Sequence, residues 1–264
     1  VTRTYSVITA VYDGGEKYLG ELSECMESHA LKMPSGWQLE WIVQEDGTTG
    51  RPLRDVPTAS WVSTGCARRG GAAVARTMAM SRVTGEIVRT VDADDLLTEG
   101  ALGRDIEALE TSGAGWCISP ALDLMPDGSL LPGPRDPAEG WLDYEALMQG
   151  YRDDLFAVVA THLAARTELL HALGGWPALP AWETIGAVLR CAAVTPGWML
   201  AQPGGLYRKH SDQTTARESY ADTADFTALA ALVEFQAVAL KATGWQWDST
   251  PLTPRDTGRH KITT

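Results

Sequence analysis

Long hydrophobic runs are missing from this 264-residue sequence. None approaches the roughly 18 residues that a membrane-crossing helix requires. The N-terminus enters a strand-like segment without the basic and apolar regions of a signal peptide. Only four cysteines occur, Cys25, Cys66, Cys117 and Cys191, and no C-x-x-C pair is among them. That disfavours a disulfide framework and a zinc site; the expectation is a soluble, cytoplasmic protein with reduced thiols. Positive charge is scarce as well. The 22 lysines and arginines face 34 aspartates and glutamates, a formal net charge of -12. Nucleic-acid backbones and anionic membranes both need a basic face, so neither is an expected partner. A phosphate ligand stays open, because a bound cation reverses the local sign.

What is present is a hydrophobic content of 44%, enough for a full core at this length. Ten tryptophans are many, and some are candidates for lining a ligand cleft. The organising stretch is Glu86 to Asp95. Its apolar run, Ile87 to Val91, reads as a buried strand that delivers Asp92, Asp94 and Asp95 at its C-terminal end. Three packed acids repel one another unless something positive sits among them. A divalent cation with oxygen ligands, shared with phosphates, meets that need. The competing reading is that the acids only cap the next helix.

The chain alternates strand and helix. Strands are expected at Tyr5–Val11, Leu39–Gln44, Ala59–Ser63, Ile87–Val91, Gly115–Ser119, Ala121–Met125 and Phe156–Thr161. Helical spacing marks Leu19 to Met33, an alanine-rich helix with Ala72, Ala75 and Ala79 on one face, and Leu102 to Leu109. Further helices are expected at Arg166–Leu173, from Trp182-Glu183-Thr184 through Ala192, and from about Glu218 to Thr243. Residues 131–140 are read as a loop, and the tail with Pro251 and Pro254 as loose. The pattern implies an α/β fold, a mostly parallel sheet flanked by helices, with ligands beyond the carboxyl ends of the strands. Tyr12, Asp46 and the aspartate cluster all lie at such ends.

Several segments together resemble the inverting family 2 glycosyltransferases of the GT-A fold. Tyr5 to Asp13 looks like the family's opening strand, with Ala10 where proline is usual. Gln44-Glu-Asp-Gly-Thr-Thr49 is similar to its Asp-Asp-Gly-Ser segment, Glu45 standing for the first acid. Gly71 to Thr77 resembles Gly-x-x-x-Ala-Arg-Asn, with Thr77 for asparagine, and Gly85 to Asp95 resembles the strand into the D-x-D motif. Gly174-Gly175-Trp176, Trp182-Glu183 and Arg190 look like the acceptor-side helix, where the usual Glu-Asp pair reads Glu183-Thr184. Tyr207-Arg-Lys-His210 is similar to the late segment whose histidine approaches the metal. The likeness covers roughly residues 5 to 215. It implies a GT-A domain over 1–215, with a nucleotide-binding half (1–100) and an acceptor-side half (101–215), then a C-terminal helix and tail over 216–264.

The resemblance also implies roles. Ala10, Tyr12, Asp46, Arg68, Arg76, Asp92, Ala93 and Asp94 would contact the nucleotide-sugar, with the base near Tyr12 and Asp46. Arg68, Arg69 and Arg76 stand where a guanidinium would meet diphosphate oxygens. Asp94, Asp95 and His210 would hold Mn2+ or Mg2+. Glu183 would be the general base toward the acceptor hydroxyl, with Asp153 and Asp154 in reserve. His162, Trp176 and Trp182 would line the acceptor side. Each residue also has a plainer reading: a turn aromatic for Tyr12, an Asx turn for Asp46, a solvated loop residue for His210, core packing for the tryptophans.

The expected function is metal-dependent, inverting transfer of one sugar from a nucleoside-diphosphate sugar, UDP favoured, to a small-molecule or lipid-linked acceptor. Stable membrane insertion is not expected, and a homodimer is compatible. Two rivals remain: a nucleotide-sugar-binding protein without turnover, and a sugar-1-phosphate nucleotidyltransferase. The second should carry a Gly-rich loop with a basic signature after strand one, and Tyr12-Asp-Gly-Gly-Glu16 lacks it.

Overall fold

A computed structural model describes residues 2–133, 136–213 and 224–248. The first half contains β1 (Arg3–Val11), α1 (Leu19–Leu31), β2 (Trp37–Asp46), β3 (Val62–Ala67), α2 (Ala72–Ala79) and β4 (Ile87–Thr90). Its four strands are parallel and lie in the order β3-β2-β1-β4. The chain therefore winds outward from β1 through α1 and returns through α2 to the other side of β1. The strand order reverses between β1 and β4, where open α/β sheets place their ligand crevice.

The second half contains β5 (Leu96–Leu97), α3 (Ala101–Ser112), β6 (Trp116–Ile118), β7 (Ala121–Leu124), β8 (Leu130–Pro132), β9 (Gly140–Leu142), α4 (Tyr144–Arg152) and β10 (Leu163–Arg166). After it come α5 (Thr167–Ala172), α6 (Glu183–Val194), β11 (Gly197–Met199), β12 (Gly205–Arg208) and α7 (Ala224–Ala242). β10 inserts antiparallel between β4 and β6, completing an eight-stranded sheet in the order β3-β2-β1-β4-β10-β6-β11-β9. The expected halves thus share one sheet. A smaller sheet, β5-β12-β7-β8, receives the chain directly after the aspartate cluster.

Alternation along β1 divides the core. Tyr5, Val7 and Val11 pack with Leu19, Leu22 and Met26 of α1 and Leu102, Ile106 and Leu109 of α3. Ile8 faces the other way, toward Ala73 and Ala79 of α2 and the α5–α6 layer. Both faces are covered, which is why the central strands read as continuous apolar runs. α7 lies on α6 with Val233 and Ala237 fully buried. A Cβ at Gly186 would lie 3.0 Å from Pro177 and 3.3 Å from Val233, so the glycine sets how closely the helices approach.

Four expectations change. Residues 131–140 are not wholly loop, since β8 takes in Leu131 and Pro132 and β9 opens at Gly140. Phe156–Thr161 is not a strand; Val158 fills the core from a loop and Ala160 from a short 3-10 turn over Ala160–His162, and the strand begins at Leu163. A short apolar run satisfies the same periodicity with or without ladder bonds. The third strand starts at Val62, later than Ala59. On α2 the buried face is Ala73, Ala75, Arg76 and Ala79, with Ala72 exposed, because a charged residue and not another alanine completes it. The boundary at 215, the helix start near Glu218 and the tail from 249 lie outside the described residues. Among those described, no helix is long and apolar enough to cross a membrane.

One ion pair sits within the core. Arg89 of β4 donates to Asp105 of α3 at 2.8 Å, and the Tyr5 hydroxyl donates to the same oxygen at 2.7 Å. Burial works against the Arg89 charge, but Asp105 and its other neighbours together outweigh it and the guanidinium is held above its ordinary pKa. Removing one member of such a pair leaves the other charge uncompensated. Asp105→Ala is expected to lower the unfolding free energy by about 3–5 kcal/mol, read from urea melts of parent and variant.

Candidate functional site

The carboxyl edge of the sheet assembles the site. β4 leaves the sheet after the Val91 N–H bonds to Ile8 O, and Asp95 N–H donates to Asp92 O at 3.1 Å, closing a tight turn. This turn sends the three aspartates to three different partners.

Asp92 accepts from Arg76 Nη2 at 2.6 Å. The other terminal nitrogen, Nη1, donates to Glu183 Oε1 at 3.0 Å, so one guanidinium joins the end of β4 to the first residue of α6. Arg76 is 4% exposed. Its Nε is buried without a partner among the described residues. Desolvation opposes the charge, yet Asp92 and Glu183 together raise Arg76 above its ordinary pKa.

Asp94 meets His210, with Oδ2 and Nε2 2.9 Å apart. Arg208 reaches over the same turn: its Nε donates to Asp94 O at 2.7 Å and its Nη2 to Glu21 Oε2 at 2.7 Å. The Tyr18 ring supports both, with the Arg208 guanidinium 4.4 Å and the His210 ring 5.1 Å from its centroid. Asp95 turns inward. Its Oδ1 accepts from the Arg208 backbone N–H at 2.9 Å, and burial, then Asp92 and Asp94, push its carboxyl well above the ordinary range. The expected trio of Asp94, Asp95 and His210 is therefore not gathered around one point. Among the described residues no three His, Cys, Asp or Glu side chains are placed to hold a metal.

On the β2 side, the Asp46 carboxylate accepts from the N–H groups of Gly70 and Gly71 at 2.6 and 3.0 Å, fixing the loop into α2. Gly71 adopts φ +91°, a conformation that suits glycine. Glu45, fully buried, accepts from Thr49 N, Thr49 Oγ1 and Gly50 N at 2.8–2.9 Å and shapes the loop after β2. The Tyr12 ring lies over Gly15, where a Cβ would come within 2.7 Å of it, and the Arg69 guanidinium is 6.0 Å away. Ala10 pairs in register with Gln44, Ala93 is buried in the turn, and Arg68 is exposed on the adjoining loop.

The acceptor-side expectations are placed differently. His162 is 4% exposed, its ring so close to Gly205 that a Cβ there would lie 2.4 Å away. Trp176 is in the core, and its backbone N–H and C=O both bond the Thr77 hydroxyl. Trp182, at φ +66°, donates to Phe226 O at 3.2 Å and packs edge-on to Tyr151, so it seats α7 on the body. His162 and Trp176 are buried, whereas Trp182 is half-buried. Asp153 and Asp154 end α4 instead of preceding a strand; Asp153 is bonded to Gln149. Arg190 donates to Leu173 O. Arg208, Glu21 and Tyr18 were not singled out from the sequence, although Arg208 sits two residues before His210.

No protein-family model and no curated protein matches this sequence. Solved structures do match. S. aureus TarS 1-349 in complex with UDP-GlcNAc superposes with a TM-score of 0.66 at 17% identity, over 91% of this chain and 71% of that one. Its complex with UDP gives 0.62 at 17% identity, over 91% and 70%. The longer TarS structure gives 0.61 at 15% identity, and there the match spans 44% of that chain. These likenesses establish the fold: the α/β architecture of TarS, a large central sheet flanked by helices.

Burial, with Arg89 adding to it, depresses His162 to about 3. The unfolded chain takes up this proton near pH 6.5 and the folded chain does not, so stability is lost as pH falls below 6.5. The His162 contribution to that loss between pH 7 and 5 is about 2 kcal/mol. Urea melts of parent and His162→Phe at the two pH values isolate it, because His29, also depressed by burial, is retained in both.

Proposed function

We propose that this chain is a glycosyltransferase that moves one sugar from a UDP-sugar to an acceptor hydroxyl, with inversion at the anomeric carbon and dependence on Mn2+ or Mg2+. One observation carries the reading. Arg76, Asp92, Asp94, Glu183 and His210, distant in sequence, converge at the carboxyl edge beside the strand-order reversal. The fold is shared with a protein solved in complex with UDP-GlcNAc and with UDP, which supports a UDP-sugar as donor.

Asp94 and His210 fit a cation that is completed by diphosphate oxygens, since such ions commonly take one or two protein ligands beside phosphates. The 2.9 Å approach of their ligating atoms supports this pair, and the inward-turned Asp95 does not join it. When bound, the ion would supply Lewis-acid neutralisation of the departing diphosphate.

The residues of the chain do the rest. The loops after β1 and β2, shaped by Tyr12, Asp46 and Glu45, border the nucleobase side. Glu183 takes the proton of the acceptor hydroxyl as that oxygen bonds to the anomeric carbon, and the bond to the diphosphate oxygen breaks on the opposite face. Glu183 Oε1 is held by Arg76, while Oε2 accepts no hydrogen bond among the described residues and is the oxygen available for the proton. The acceptor would be a small-molecule or lipid-linked hydroxyl compound.

UDP at about 100 times its dissociation constant should stabilise the chain by about 2.7 kcal/mol. Mn2+ should strengthen this in the parent and not in Asp94→Asn, as read by thermal shift. Glu183→Gln should keep UDP binding and lose about 10²–10⁴-fold in transfer. Absence of any UDP-induced shift, with or without Mn2+, refutes the reading.

A further inference from the structure

Resting on that reading, we propose that Arg76 is a positioning residue and not a ligand of the donor: it acts through Glu183, holding the acceptor-side carboxylate in register with the donor-side strand end at Asp92. By sequence alone Arg76 belongs with Arg68 and Arg69, cations near a helix start that would meet diphosphate oxygens. The structure separates it from them. Arg68 and Arg69 are exposed on the loop before α2, and the Arg69 side chain is 76% exposed. Arg76 lies one turn into the helix, on the face it shares with Ala73, Ala75 and Ala79, whose small side chains let the guanidinium reach inward.

At 4% exposure, both of its terminal nitrogens are committed to carboxylates on different elements. A phosphate would have to displace Asp92 or Glu183 to reach them. Leaving either acid unpaired beside the other is the costlier arrangement in a desolvated setting. The adjacent residue repeats the tie. Thr77 Oγ1 donates to Trp176 O at 3.2 Å and accepts from Trp176 N–H at 3.1 Å, and a Cβ on Gly175 would lie 2.7 Å from that oxygen. Two consecutive residues of α2 therefore grip the segment leading into α6 and its first residue. The distance between donor-side and acceptor-side carboxylates is set by α2, with Arg76 as the charged span.

The test uses the full chain as parent, Arg76→Lys, Glu183→Gln and the double variant. UDP affinity is measured by calorimetry with Mn2+ present, and UDP release from UDP-GlcNAc is followed where the parent supports it. Lysine keeps the positive charge but offers a single nitrogen in place of the two separated ones that span Asp92 and Glu183, so the UDP dissociation constant should stay within about threefold while the span is lost. Turnover should fall about 100-fold from misplacement of Glu183. In the Glu183→Gln background the lysine change should add less than about threefold, since a residue acting through another has nothing left to act on. A loss of UDP affinity of about 30-fold or more in Arg76→Lys, matched in the double variant, makes Arg76 a donor ligand and overturns the proposal. Should Arg76→Lys not melt cooperatively, Arg76→Gln carries the same affinity measurement. A parent that binds no UDP refutes the glycosyltransferase reading itself, which keeps the two failures apart.

Discussion

Carboxylates crowd one edge of the sheet, and the arrangement of that edge follows from keeping them apart. Asp92, Asp94, Asp95 and Glu183 would repel one another if they faced a common point. Three partners divide them: Arg76 takes Asp92 and Glu183, His210 takes Asp94, and the Arg208 backbone takes Asp95. The buried guanidinium is the centre of this pattern. Taking Arg76 out of water costs several kcal/mol, and two carboxylates at hydrogen-bond distance offset the cost. The same pairing fixes the start of α6 against the end of β4.

The turn is also held from beneath. Arg89, three residues before Asp92 in β4, is locked to Asp105 and reaches Gly204 O at 3.3 Å. A Cβ at Gly204 would lie 2.0 Å from Ser119 Oγ, and one at Gly205 would lie 2.4 Å from the His162 ring. Consecutive glycines thus let β12 pass close over the core. β12 then pairs with β5, directly after the aspartates, and delivers Arg208 and His210 to Asp94. Packing at two glycines is in this sense a precondition of the electrostatics at the edge.

Fold and chemistry stand on different grounds here. A shared architecture at 17% identity identifies how the chain is laid out, and many activities can occupy one architecture. The functional reading depends instead on particular side chains: an Arg-held glutamate with one unengaged oxygen, and an Asp–His pair where a phosphate-bound cation would sit. The acids that resemble a single motif in sequence divide in the structure. Asp94 faces His210, Asp92 pairs with Arg76, and Asp95 serves the backbone of β12.

Local chemistry wrote the first half of the molecule plainly. β-branched runs, helical spacing and glycine stops place β1, α1, β2, α2 and β4 to within a few residues, because each buries its own apolar face and needs little from distant chain. The acid cluster after Val91, Glu183 at a helix start and His210 were likewise legible as residue types at positions. The short strands β5, β8, β9 and β11 carry too few residues for any period, and the Phe156–Thr161 run satisfies a strand pattern while packing as a loop that enters a 3-10 turn. Direction was the other thing hidden. Whether an aspartate faces histidine or a backbone amide, whether an arginine in a phosphate-like setting is exposed or bridges two acids, and whether a tryptophan is a platform or a core filler are decided by what arrives from elsewhere in the chain. A hydrogen bond between residues 76 and 183 depends on the path of everything between them, and only the folded chain settles it.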